Sequence, residues 1–270
     1  PKYFEGGPCA TPTVADGRVY TFSRKGDLLC LDAAKGTVVW SKNLNQELGL
    51  EIPTWGCASS ALVEGELVVV NMGSAGVALE RKSGKVVWVS AKSAGAYATP
   101  VPLKLGAERC LAIMSQDTLV AVKAAGGQQL WSYPWKTAYE VNSADPIVDG
   151  DKVFISSGYN HGGAVLKVTG QGAEKVWENK NLRNHFNSCV LWQGYLYGPD
   201  DSGLRCVAFD TGDLKWTYGE FGKGSLVVAD GKLVALSEKG ELIIADATPT
   251  AFKPISRAQV LKGKCWTTPV

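Results

Sequence analysis

No run of apolar residues in this 270-residue sequence approaches the roughly 20 that a membrane helix requires. No cluster of basic residues marks a nucleic-acid footprint. Lysine and arginine total 28 against 26 acids, a net charge of +2, so electrostatics favours no class of partner. There are only 2 histidines, His161 and His185, and neither has a carboxylate at ligand spacing, which leaves no metal site to assign. The seven cysteines (Cys9, Cys30, Cys57, Cys110, Cys189, Cys206, Cys265) include no adjacent pair and no CxxC, which argues against zinc clusters and a dense disulfide framework. The first residues, PKYFEGGPCATP, carry neither a basic nor an apolar leader region, so any targeting segment is expected outside this chain. No nucleophile motif and no Ser, His and Asp arrangement stands out. What remains is an ordinary globular composition, 45% hydrophobic and 20% charged, long enough to bury a large core.

The sequence repeats itself. TPTVADGRVYTFSRKGDLLCLDAAKGTVVW (11–40) is followed by altered copies ending at Trp88, Trp131, Trp177 and Trp216, and by a sixth, GSLVVADGKLVALSEKGELIIADATPTAF (224–252), without the tryptophan. Successive tryptophans lie 48, 43, 46 and 39 residues apart. A period a little over forty is that of a four-stranded propeller blade. The repeats cover approximately 9–50, 57–95, 97–136, 143–182, 187–221 and 224–257, and 265–270 begins another. Each resolves into four short strands: one often opened by proline (Pro12, Pro100, Pro146), a Gly-centred turn, a second strand, a variable loop, a third strand, and a fourth that ends at the tryptophan. With no helical periodicity anywhere, the expectation is an all-β propeller of four-stranded antiparallel blades, one domain over 1–270.

In four repeats a glycine precedes the tryptophan by four positions: Gly36, Gly84, Gly127 and Gly212. In repeat four, Gly172 precedes Trp177 by five, which suggests a bulge or a longer turn. The spacing puts Trp40, Trp88, Trp131, Trp177 and Trp216 at one point of successive outer strands, where each indole can fill the gap between two sheets and donate its N–H to a neighbouring backbone. Five indoles on five outer strands do not converge on one ligand, so they are read as blade-docking residues. In repeat six, Phe252 is expected roughly in place of the tryptophan, and that junction is expected to pack differently.

The phrases LDAAKGTVVW, LERKSGKVVW and FDTGDLKW resemble the quinoprotein-type (PQQ-like) propeller repeat over nearly the whole chain. That family includes pyrroloquinoline-quinone-dependent dehydrogenases, a lipoprotein scaffold of outer-membrane assembly, and many propellers without a known cofactor. The resemblance implies a bacterial protein, periplasmic or secreted, with seven or eight blades when intact. Six repeats, the opening of a further one at Thr267, and the segment Pro1 to Pro8 read as a loop leaving an earlier blade together suggest a trimmed chain. The dehydrogenases of the family share a vicinal cysteine disulfide, a calcium and a catalytic Asp. This sequence has no adjacent cysteines, so that feature does not carry over.

Where the repeats differ, a site is expected. Loops leaving a fourth strand and loops joining the second and third strands share one face, and loops carry function on a rigid scaffold. Three stand out: YPWKTAYEVNSADP with Tyr139, Glu140, Asn142 and Asp145; SSGYNHGG with Tyr159, Asn160 and His161; and NKNLRNHFNS with Arg183, His185 and Asn187. Together they form a candidate polar pocket with aromatic walls for a small polar ligand or a peptide end. The plainer reading is that Asn and Gly serve tight left-handed loops. Glu140, Asn142 and Asp145 carry the oxygens calcium takes, but they are close in sequence, where a cation site draws on separate segments, so no metal is assigned. Cys9, Cys57 and Cys265, near innermost strands, are read as small buried hydrophobes, as are Cys30 and Cys206. The leading expectation is a non-catalytic propeller that binds a protein or peptide or acts as a scaffold, with no cofactor, no nucleic acid and no membrane span. A PQQ- and calcium-dependent dehydrogenase or a degenerate relative is the alternative. A carbohydrate-binding propeller, suggested by Trp55, Trp135 and Trp266, is the third.

Overall fold

The computed structural model describes residues 9–201 and 203–269. Among them the strands pair into six four-stranded antiparallel sheets, each with its strands in chain order. The sheets run over 13–43, 62–89, 101–134, 147–179, 190–218 and 225–259 and are numbered here as blades one to six. Pro12, Pro100 and Pro146 each stand immediately before the first strands Thr13–Ala15, Val101–Leu105 and Ile147–Asp149. A residue without an N–H removes nothing from the ladder there. The first turns of blades one, five and six are the pairs Asp16-Gly17, Gln193-Gly194 and Asp230-Gly231, with φ from +46° to +79°, the conformation that suits a two-residue hairpin between right-twisted strands.

Contacts divide the chain into two compact units. The first takes residues up to Lys136 with Glu140–Asn142 and Thr169–Gly172, and so contains blades one to three; the second takes Thr137–Tyr139, Ser143–Val168 and the chain from Ala173, and so contains blades four to six. In the first unit Tyr20, Phe22, Leu28, Val68 and Leu79 make a shared core of blades one and two, and Val69, Trp88, Leu111 and Val120 one of blades two and three. In the second, Phe154, Val165, Leu196 and Phe209 join blades four and five, and Tyr197, Trp216, Leu233 and Ile243 join five and six. Successive side chains of a strand face opposite sides of its sheet, so an inner strand such as Lys152–Ser157 is buried at nearly every position, while the outer strand Pro254–Gln259 is exposed throughout.

Within each unit the tryptophans donate to a backbone carbonyl of the following repeat. Trp40 donates its Nε1–H to the carbonyl of Arg81 at 3.0 Å, Trp88 to Ala124 at 2.9 Å, Trp131 to Thr169 at 2.7 Å, Trp177 to Phe209 at 2.7 Å and Trp216 to Thr248 at 2.8 Å. The third-to-fourth-strand ladder has a register shift in all six blades, and in five of them it falls beside the residue paired with the tryptophan, as at Cys30, which pairs Trp40. The bulge expected in repeat four alone is therefore general, and it bends the outer strand where the indole leaves it. The extra residue before Trp177 has another cause. Thr169 N–H bonds the Gly172 carbonyl across a two-residue turn, whereas Asp32 in blade one reaches across four residues to Thr37. The turn is shorter, not longer.

Blade six corrects a second expectation. Ser256, opposite Ile244 at the bulge, occupies the tryptophan position. Phe252 lies in the preceding turn, where the other blades carry glycine, and its ring meets Trp216 at 5.4 Å and Tyr218 at 4.7 Å. It fills the junction with blade five from the opposite side.

Near the first strands a second set of bonds links neighbours: Thr11 N–H to Ser60 Oγ at 3.0 Å and Ser60 N–H to Thr99 Oγ1 at 3.2 Å in the first unit, and Asp145 N–H to Ser188 Oγ at 2.9 Å in the second. Cys30, Cys57, Cys206 and Cys265 are buried, whereas Cys9 is exposed, contrary to its reading as a buried hydrophobe. A short α-helix, Leu44–Leu48, interrupts the strands. Asn43 caps it by accepting from Gln46 N–H at 2.8 Å, Glu47 accepts from Asn43 N–H at 3.0 Å, and Gly49 ends it at φ +67°. Five residues are too few to show a helical period.

Candidate functional site

In the second unit the two loop types meet on one face. Tyr159, between the second and third strands of blade four, places its ring 4.3 Å from the His185 imidazole in the loop leading into blade five. Tyr139 continues the row at 5.2 Å from Tyr159, and Phe186 and Trp266 extend it the other way, at 4.0 Å from His185 and 4.7 Å from Phe186. Five rings thus form a continuous strip. Two of its tyrosines sit in left-handed backbone, Tyr139 at φ +61° and Tyr159 at φ +54°. This conformation costs a bulky residue roughly 1–3 kcal/mol and is tolerated where the surroundings impose it. Tyr139 is 75% exposed, so the strained turn presents a ring to solvent.

Beneath the strip lies a charge node. Asp200, in the second-to-third-strand loop of blade five, is buried and accepts from the backbone N–H and Nε of Arg183, both at 2.9 Å, while Arg205 approaches it at 3.2 Å. Arg183 also donates to Asn160 Oδ1 at 3.1 Å, and Asn160 N–H donates to Asp201 at 3.1 Å. The two-to-one pairing of guanidinium with carboxylate satisfies a buried charge that would otherwise be strongly unfavourable and fixes the blade-four loop to the blade-five loop. His185 packs on this node at 8% exposure, and neither ring nitrogen has a hydrogen-bond partner in the protein. Gly158 permits the approach: a Cβ there would come within 2.7 Å of His185 Cγ. Burial and the charge of Lys223 lower the imidazole to about 4, against the opposing pull of Asp201, so it is neutral at physiological pH.

The far end of the strip is cationic. Lys223 Nζ lies over the Phe186 ring at 5.1 Å and Lys264 Nζ over Trp266 at 4.6 Å. Glu238 accepts the Trp266 indole N–H at 2.9 Å and the Lys223 backbone N–H at 3.3 Å, and these bonds with the lysine charges hold its carboxyl below the usual range.

Of the residues singled out from sequence, Tyr139, Tyr159, Asn160, Arg183 and His185 come together here. Asn187 lines a narrow crevice beside His185 and donates to the Gly224 carbonyl at 3.0 Å. His161 has Glu178 and Lys180 as its charged neighbours, and burial lowers its pKa; Asp145 is tied through its backbone to Ser188. Glu140 and Asn142 fall in the first unit. Glu140 accepts from Gln116 at 3.3 Å, and Asn142 is fully buried with its amide aimed at the carbonyls of Ser115, Gln116 and Trp135. Phe186, Asp200, Asp201, Lys223, Glu238 and Lys264 were not singled out. Asp200 and Asp201 were findable, because their loop is the blade-five counterpart of the YNHGG loop. The first unit also has an open cleft of about 340 Å³ lined by Ser74, Ser93, Gln116, Ser132, Lys136 and Glu140 among others.

The family model for outer membrane protein assembly factor BamB matches residues 3–218. The chain belongs to this family. Among relatives, the BamB of Yersinia pestis is 23% identical over 87% of this chain and the BamB of Salmonella typhimurium 25% identical over 84%. The chain spans 60% of the length of the first and 69% of the second. Among solved structures, BamB from Moraxella catarrhalis superposes with a TM-score of 0.72 at 19% identity, over 95% of this chain and 75% of that one. A europium-containing methanol dehydrogenase superposes at 0.66 with 13% identity, over 94% of this chain and 69% of that one. Both likenesses concern the fold, which is all-β and of the propeller class.

The residues of this BamB-family chain do not fit a quinone and calcium site. No two cysteines are adjacent. Among the described residues no group of three or more His, Cys, Asp or Glu is placed to hold a metal ion. No helix of the described residues is long and apolar enough to cross a membrane.

Proposed function

We propose that this chain is a non-catalytic scaffold that binds a protein partner in outer-membrane protein assembly, on the periplasmic side, with the loop face of the second unit as its docking surface. The observation that carries the reading is the ring strip from Tyr139 to Trp266, held by the Asp200 node and offering aromatic surface and two cations. Exposed rings on a fixed frame are what protein interfaces use as anchors. Membership in the BamB family supports the process. The carbohydrate reading loses part of its platform, because Trp135 is buried and offers no ring face to a sugar.

Deleting the gene in its own host should lower the amount of outer-membrane β-barrel proteins, and the tagged intact protein should co-purify with components of the assembly machinery. Unchanged barrel levels, or a rise in melting temperature with dye-linked alcohol oxidation on adding pyrroloquinoline quinone and calcium, would overturn the proposal.

A further inference from the structure

Two lysines on this face lack an ionic partner. Neither Lys223 nor Lys264 forms an ion pair among the described residues, although both stand beside rings that contribute to one surface, Phe186 and Trp266 in contact at 4.7 Å. Among the described residues the Glu238 carboxylate feels both ammonium charges, and it is already committed to the Trp266 indole and the Lys223 backbone. One acid against two ammonium groups leaves the end of the strip positive. An ammonium over a ring face at an exposed site is held loosely enough to be recruited. Phe186 is 36% exposed. Directly beneath its ring lies the His185 imidazole, stacked at 28° and buried, with Asp201 Oδ1 3.9 Å from Nδ1 and no hydrogen-bond partner in the protein on either nitrogen. A buried polar pair of this type is a place where a docking group gains rather than displaces a hydrogen bond.

We propose that Lys223, Lys264, Phe186 and Trp266, with His185 below, form a docking site for an acidic segment of a partner protein in which an Asp or Glu side chain lies next to an aromatic one. The carboxylate sits between the two ammonium groups. The neighbouring ring packs on Phe186 and Trp266, and shifting Phe186 opens the neutral imidazole, one donor and one acceptor, to the incoming backbone. This inference rests on the scaffold reading and names the chemistry of the partner's contact.

The test is fluorescence anisotropy with the intact protein and a labelled, C-terminally amidated peptide, Gly-Asp-Phe-Glu-Phe-Asp-Gly, so that no terminal carboxylate contributes. The expected result is binding that weakens as salt is raised, with a loss of about tenfold or more when the acids are replaced by their amides or in the variant K223Q/K264Q. The K223R/K264R variant should restore binding, which separates lost charge from lost fold, and F186A should weaken it independently of salt. No binding up to millimolar peptide, equal binding by wild type and K223Q/K264Q, or equal affinity for the amide peptide would overturn the proposal. So would lysine-dependent binding to phosphatidylglycerol vesicles in the absence of peptide binding, which would make the ligand a lipid surface. Because the scaffold reading is measured by barrel levels and co-purification, it can stand while this inference falls.

Discussion

The indole of Trp88 lies against Gly127 of the following blade so closely that a Cβ built on that glycine would come within 2.5 Å of Trp88 Cδ2. The same relation joins Trp40 to Gly84 at 2.8 Å and Trp177 to Gly212 at 2.7 Å. The recurring glycine therefore serves two demands at once, a left-handed turn in its own blade and a flat bed for the indole of the blade before it. Gly36 has the same φ, +68°, as Gly127 but nothing within 4 Å of its Cβ position. Gly36→Ala should thus carry only the backbone penalty of about 1–2 kcal/mol, while Gly127→Ala should lose a further 1–3, roughly, from overpacking. Urea denaturation of both variants measures the difference, and equal losses would show that the indole is not in the way.

Asp200 should be the most sensitive single charge in the second unit. Its carboxylate is buried between Arg183 and Arg205, and removing one partner of a buried pair leaves the others desolvated, at about 3–5 kcal/mol. The exposed pair Lys175 and Glu178, at 2.9 Å in blade four, is the control; its loss should cost about 0–1 kcal/mol. We expect Asp200→Ala to lower the urea midpoint sharply and to open the Tyr159 and Arg183 loops to protease, with Glu178→Gln unchanged in both assays. Similar small losses would mean that the node is not what fixes the loops.

The fold was legible because it is written in repetition: a period near forty, proline before the first strand, glycine before the tryptophan. Each mark has one physical cause that recurs from blade to blade, the proline in three of them and the glycine before tryptophan in five. The site was legible only in part, since Tyr159, Asn160, Arg183 and His185 could be chosen as departures from the repeat, but their grouping around Asp200 depends on loops distant in sequence. Glu140 and Asn142 show the reverse case. Neighbours of Tyr139 in the chain, they fall in the first unit, where Asn142 spends its amide on backbone carbonyls. A buried asparagine that closes a loop and an exposed one that binds a ligand look alike in sequence. Phe252 misled for a similar reason: aromatic character was read as the tryptophan's substitute, whereas strand register assigns it to the glycine's place.

The seven cysteines should divide six to one. Cys9 is exposed, and the other six are buried. Burial raises the Cys57 and Cys206 thiols to about 12 and pushes Cys189 up further still, so little thiolate exists to react. Ellman's reagent at pH 8 should therefore titrate one thiol promptly in the native protein and seven in denaturant, with Cys9→Ser abolishing the prompt phase. Two or more prompt thiols in the native state would contradict the burial of the other six cysteines.

His185 should make stability depend on pH in a predictable window. Its pKa falls from 6.5 to about 4 in the folded protein, first through burial and then through Lys223, while Asp201 works in the other direction. The unfolded chain therefore binds a proton below pH 6.5 that the folded chain refuses until about pH 4. Its contribution is complete above 6.5 and is lost progressively as pH falls through that interval, about 2–3 kcal/mol by pH 4.5. The carboxyls held low in the fold, Asp27, Glu47, Glu66 and Glu238, also lose stabilising charge in acid, so a fall in stability alone does not identify the histidine. The comparison with His185→Phe does, because Phe keeps a ring between Tyr159 and Phe186 and has no proton to take up. Urea unfolding at pH 7.5 and 4.5 should show a loss smaller by about 2–3 kcal/mol in the variant. Equal losses, or an imidazole resonance titrating near 6.5 in the folded protein, would mean that the ring is solvated and not packed beneath Phe186.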